Sequence, residues 1–254
     1  MAKSSSKTIL SHGMNSEKAS KVKLKGHKAE DLFAELINGE VIKGQGKIDI
    51  IDKHGKKYSV KGGSDIEKGG GDGRWQLFLF GLSKFENDLN FPARDYFIKI
   101  LKSFPQTRAL YDKQVDKVKE KVARLMLELK DYLSSEKNTK LFFDKTIFDF
   151  QIDFLCVFHD KYFHIFSRQD LLNSLITSCT IHNSRGNQKV KYNFDGRIAI
   201  EIEIRKTDDG KFPSILVITN KLKILKILSQ NIKDQVIVKD KIKVYGEAIK
   251  KFKI

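Results

Sequence analysis

Cysteine, proline, tryptophan and arginine are all scarce in this 254-residue chain. Two cysteines, Cys156 and Cys179, allow no disulfide framework and are consistent with a reducing compartment. Three prolines, Pro92, Pro105 and Pro213, leave few enforced breaks, and neither a linker nor an internal repeat is visible. No apolar run nears the roughly 18 residues that a membrane helix requires, and the longest, Phe154 to Phe158, is strand-sized. The N-terminal stretch has no continuous apolar segment of the secretory kind. The expected location is therefore the cytoplasm, with no membrane partner. Arginine supplies only eight of the 48 basic residues, so lysine carries the positive charge.

Hydrophobic residues make up 40% of the chain and charged residues 31%, a balance that supports a packed core rather than disorder. The net charge of +16 favours a polyanionic partner, because each lysine or arginine that neutralises a phosphate releases a counterion. A lysine-rich genome is the plain alternative source of that charge.

Residues 1–20 are rich in Ser and Lys without apolar periodicity, and are expected to form a flexible basic arm ahead of a single domain over 21–254. From Gly26 onward, Ala29, Leu32, Phe33, Leu36 and Ile37 mark an amphipathic helix, with Gly39 as its stop. Two short strands are expected at Lys47–Ile51 and Lys57–Lys61. A glycine-rich loop follows, Gly62 to Gly73; it lacks a Walker Gly-Lys-Ser/Thr ending. Trp75–Leu82 reads as a strand or a buried helix. Leu110, Val115, Val118, Val122, Leu125 and Leu129 predict one long helix from Ala109 to Leu133. Ile147–Phe158 and Tyr162–Phe166 read as a hairpin turning at His159-Asp160-Lys161, and Ile198–Ile204 as a half-exposed strand. A helix is expected from Lys221 to about Leu228, and lysine-protected edge strands over Val236–Ile254.

The residues that carry chemistry sit early in the chain. Phosphodiester cleavage needs a divalent metal, acidic ligands for it, and a cation to orient water or offset developing charge. Glu30 on the helix, Asp49 on the first strand and Ser59-Val60-Lys61 on the second supply that order. Ser59 and Lys61 are two apart and share a sheet face. A three-residue loop, Lys53-His54-Gly55, pairs Asp52 with Lys56 and sets Asp49 against Ser59, with Gly55 suited to the left-handed position. A two-residue loop would turn Asp49 to the other face. The plain alternative is a cross-strand ion pair between Asp49 and Lys61.

The run Gly26-His-Lys-Ala-Glu30, Gly46-Lys-Ile-Asp49-Ile and Tyr58-Ser-Val-Lys61 resembles the PD-(D/E)xK nuclease superfamily, and within it is most similar to type II restriction endonucleases. The resemblance covers roughly residues 26–63. It implies an α/β (α+β) fold with a central mixed sheet flanked by helices, followed here by a β-rich C-terminal elaboration. It also implies Asp49 as metal-binding aspartate, Lys61 as catalytic lysine, Glu30 as a helix-borne acid near the metal, and Mg²⁺ as cofactor. Ser59 stands where the family carries its second acid. That shifts the ligand burden to Asp49, Glu30, the Val60 carbonyl and water, with Asp65, Glu67 or Asp72 as substitutes. The implied activity is sequence-specific cleavage of double-stranded DNA by a homodimer. A structure-specific junction or repair nuclease shares the same motif, and a catalytically degenerate DNA-binding protein is the reading that Ser59 keeps open.

For base reading, Arg185, Asn187 and Gln188 in a polar loop are candidates, as are Arg74 and Gln76 beyond the glycine-rich loop. Cys156, His159, Cys179 and His182 have the spacing of a split zinc site, although Cys156 lies in a strongly apolar segment where a thiol packs as a small hydrophobe.

Overall fold

The computed structural model describes residues 16–44, 46–62, 74–194, 196–206 and 212–253. Chain order begins with helix α1 (Ser16–Ile37), strands β1 (Glu40–Val41), β2 (Ile50–Ile51), β3 (Lys57–Lys61) and β4 (Arg74–Phe80). Helices α2 (Leu82–Asn87), α3 (Arg94–Lys102), α4 (Arg108–Asp112), α5 (Val115–Leu133) and α6 (Glu136–Phe143) follow, then a π-helix (Asp144–Phe148). The second half holds β5 (Phe154–His159), β6 (Tyr162–Ser167), α7 (Arg168–Thr177), β7 (Cys179–Asn183), β8 (Val190–Phe194), β9 (Arg197–Arg205) and β10 (Ser214–Asn220). It ends with α8 (Lys221–Asn231), β11 (Gln235–Val238), β12 (Ile242–Tyr245) and α9 (Ala248–Lys251).

The strands form two sheets. One is a mixed sheet of seven strands in the order β1-β2-β3-β5-β6-β12-β11, in which β3 runs parallel to β5 and β12 parallel to β6. The other is a five-stranded antiparallel sheet in the order β4-β10-β9-β8-β7. The protein is thus an α/β fold with nine α-helices among the described residues. None of those helices is long and apolar enough to cross a membrane.

Strand alternation divides the interior. Tyr58, Val60, Phe154 and Cys156 face α1 and α9, where Phe33 packs edge-on to Tyr58 at 5.5 Å. Leu155 and Val157 face the other way, into a larger core shared with Val190, Ile200 and Val217 of the second sheet and with helices α3 and α5 to α8. The face of β3 that carries Ser59 and Lys61 therefore looks toward the second sheet.

Several expectations need correction. The helix starts at Ser16, so residues 16–20 are helical rather than part of an arm; their Glu, Lys and Ala are good helix formers. Residues 1–15 of the expected arm lie outside the described residues, as do 63–73 of the glycine-rich loop. The left-handed residue that ends α1 is Asn38 (φ 51), not Gly39. Gly39 is required by close packing: a Cβ there would stand 2.9 Å from Ile50 Cγ2 and 3.1 Å from the Ile51 carbonyl oxygen.

The long central helix is broken at Lys113 and Gln114 into α4 and α5. The break lets Tyr111 bury its ring against Phe104, 5.5 Å away, while Leu110 stays exposed. Residues 147 and 148 belong to the π-helix, not to a strand, since Phe142, Phe143, Ile147 and Phe148 recur at helical spacing and are all buried. At the C-terminus only β11 is an edge strand. Ile242 and Val244 of β12 are buried inside the mixed sheet, and residues 248–251 are helical.

Candidate active site

The hairpin between β2 and β3 fixes the geometry. Its register pairs Ile50 with Tyr58 and Ile51 with Lys57, which leaves Lys53-His54-Gly55 as a three-residue loop. Asp52 closes that loop. Its carboxylate accepts the amides of His54 and Lys56 at 2.9 Å each and the Tyr58 hydroxyl at 2.9 Å, while its own amide donates to the Lys56 carbonyl. Gly55 takes φ +75, the left-handed conformation the count demands. One step further back, the Asp49 amide donates to the Tyr58 carbonyl at 2.9 Å, and Asp49 lies beside Ser59 as expected.

Asp49 ties the motif together. Its Oδ2 accepts the Val60 amide at 2.6 Å, the Ser59 hydroxyl at 3.1 Å and the Lys61 ammonium at 3.1 Å. Lys61 also donates to the Val60 carbonyl at 3.2 Å. The side chains of Asp49 and Lys61 are 17% and 31% exposed, so the pair is reachable yet partly desolvated, which strengthens it over a surface pair. Asp49 Oδ1 makes no hydrogen bond among the described residues. The donor set of carboxylate and carbonyl is all oxygen, as a hard cation requires, and Mg²⁺ is commonly held by one or two carboxylates while keeping several waters. In this arrangement the Lys61 ammonium makes the contacts to Asp49 and to the Val60 carbonyl.

The other sequence candidates are dispersed. Glu30 lies on α1, where its carboxylate pairs with His27 at 3.1 Å, whereas the described partners of the Asp49 carboxylate lie on β3. Ser59 is fully buried and tethers Asp49 as a neutral donor. Asp65, Glu67 and Asp72 lie outside the described residues. Arg74 and Gln76 stand exposed on β4, at one edge of the antiparallel sheet, and Gln76 lines a cavity shared with Lys61. Arg185, Asn187 and Gln188 sit on the β7–β8 turn at the opposite edge, four strand spacings or about 19 Å away. The Gln188 side-chain amide donates to the Lys119 carbonyl of α5 at 2.9 Å, so it packs the turn rather than standing free.

The zinc arrangement is not formed. Cys156 is fully buried in the mixed sheet and Cys179 is on the other sheet. Among the described residues no three His, Cys, Asp or Glu side chains converge as a metal-binding group. Burial pushes both thiols up, Cys179 to about 11, so neither is a ready thiolate.

Lys47 is the neighbour that sequence reasoning missed. Its ammonium donates to the Leu77 carbonyl on β4 at 3.2 Å and to the Thr146 carbonyl on the π-helix. Burial, then the charge of Lys61, lowers its pKa to about 7. Lys47 and Lys61 together line a cavity of about 100 Å³ between the two sheets, with Trp75, Gln76 and Leu155 among its walls. The available signal was position, since Lys47 stands two residues before Asp49 in the quoted motif.

Comparison of the chain with protein-family models, with curated proteins and with solved structures returns no match. The family resemblance therefore rests on the residues quoted for it.

Proposed function

We propose that this chain is a Mg²⁺-dependent deoxyribonuclease of the type II restriction kind, cutting double-stranded DNA at a defined sequence. The observation that carries the proposal is the Asp49 carboxylate accepting from the Val60 amide and from Ser59 and Lys61, which share one sheet face, with Lys61 lining a cavity beside Lys47. A mixed sheet flanked by helices and a net charge of +16 support it.

The Asp49 carboxylate and the Val60 carbonyl would hold the metal, with water in its remaining positions. Bound there, Mg²⁺ supplies Lewis-acid polarisation of the phosphate and lowers the pKa of a coordinated water. Lys61 orients the attacking water and offsets charge that develops on the phosphate, a role worth about 3 kcal/mol in a partly dry site. Ser59 donates to Asp49 and holds its carboxylate plane. Arg74, Gln76, Arg185 and Asn187 are the proposed contacts to DNA, from the two edges of the antiparallel sheet. A homodimer would cut one strand with each subunit, matching a two-fold site.

A plasmid digest with and without Mg²⁺ tests the reading. Discrete fragments that appear only with the metal support it. Smearing or a preference for junctions points to a structure-specific nuclease instead. One observation favours a second reading, a DNA-binding protein without cleavage: a serine fills the place of the second acid, and no acid replaces it among the described residues. Binding of duplex DNA with no cutting in any divalent metal would establish that reading.

A further inference from the structure

A second and larger cavity, of about 340 Å³, opens on the far side of Lys47. Gly46, Lys47 and Thr146 line both cavities, so this one adjoins the smaller cavity that Lys61 lines. Its volume lies within the roughly 300–1,000 Å³ of small-molecule sites. Its walls combine two chemistries: the rings of Phe78, Phe80 and Phe91, and the ammonium groups of Lys47, Lys84 and Lys145, set against the single carboxylate of Asp149.

The rings form a corner. Phe78 and Phe80 stack at 4.9 Å, and Phe91 stands at 85° and 83° to them. Lys84 lies over the Phe80 ring at 5.6 Å and Lys145 over the Phe91 ring at 5.7 Å. The two lysines are held differently. Lys145 is mostly buried and paired with Asp88 at 2.9 Å and Asp149 at 3.0 Å. Lys84 is half exposed, and its ion pair with Asp88 is long, 3.7 Å, a weaker tether than those that hold Lys145.

Two unusual backbone conformations reach the cavity wall: Asp149 has a positive φ, and Lys145 and Thr146 belong to the π-helix 144–148. Such conformations concentrate at ligand sites.

We propose that this cavity is a nucleotide subsite: the aromatic corner receives one unstacked base, and Lys84 faces its phosphate. Aromatic rings with cationic rims bind single nucleotides because every base has a π-face and every nucleotide an anion. The proposal rests on the nuclease reading for the polymer that presents the nucleotide. A free mononucleotide and a nucleotide within a strand share this chemistry, and the test separates them.

The full-length protein is titrated, without Mg²⁺, with thymidine monophosphate, a single-stranded oligothymidine and a blunt duplex, using the fluorescence of Trp75 and calorimetry. Saturable binding of the mononucleotide is the expected result. Phe80→Ala should weaken it about tenfold. Lys84→Gln, outside the core, should weaken it about fivefold and reduce the salt dependence of strand binding by close to one phosphate contact. Binding of the oligonucleotide alone, with the same losses in both variants, assigns the subsite to a unit of the strand. If no single-stranded ligand binds, or both variants bind like the wild type, the proposal is overturned, even where the duplex is still cut. Nucleotide binding in a protein that never cuts DNA would instead overturn the nuclease reading.

Discussion

Asp49 accepts three hydrogen bonds through one oxygen, and each donor belongs to β3. An asparagine there keeps an acceptor oxygen for the Val60 amide but removes the negative charge that pairs with Lys61 and would hold the metal. We expect Asp49→Asn to abolish Mg²⁺-dependent cutting, by more than about a thousandfold, while circular dichroism and the melting temperature change little. Lys61→Ala should lose about a hundredfold in rate. A variant that cuts at the wild-type rate removes that residue from the chemistry. Elsewhere in the mixed sheet, His164 is buried and its Nδ1 lies 2.8 Å from the Tyr245 hydroxyl. Burial, with the charge of Lys243, lowers its pKa to about 4. The unfolded chain then binds a proton that the folded one does not as the pH falls from about 6.5, so stability is full above that value and is lost toward pH 4. His164→Gln should flatten the urea midpoint over that range relative to wild type. An unchanged slope would show that His164 titrates normally in the fold.

Among the elements, the β2–β3 hairpin was the most legible in the sequence. A residue count, a glycine in the left-handed position and the two-residue period of a strand were enough to place Asp49 beside Ser59. Lys47 was not legible, because its acceptors are 30 and 99 residues away, on β4 and the π-helix. The π-helix itself was hidden by a short apolar run that suits helix and strand alike. The parallel entry of β12 beside β6 likewise depends on contacts between distant segments. The strand that follows Asp49, β2, also depends on Gly39. Gly39→Ala forces a Cβ onto Ile50 and the Ile51 carbonyl, and should destabilise the protein by about 1–3 kcal/mol. Gly55→Ala meets no atom within 4 Å and strains only φ, so it should cost about 1 kcal/mol. Denaturant titration of the two variants checks that order, and equal losses would contradict the packing role assigned to Gly39.

For the molecule as a whole, composition made a packed and basic protein readable and the family resemblance implied an α/β fold, but the division into two sheets around a shared core was not legible. If DNA is the partner of the +16 charge, binding of a duplex must be steeply dependent on salt. Six or more phosphate contacts predict a slope of log affinity against log salt of about −5 or steeper; a slope near zero would remove DNA as the partner. The central claim is tested most directly by incubating plasmid with the wild-type protein and with Asp49→Asn, each with Mg²⁺ and with a chelator. The account predicts a fixed set of fragments from the wild type with Mg²⁺ and from no other sample. Intact plasmid in every sample, or the same fragments from Asp49→Asn, would contradict it.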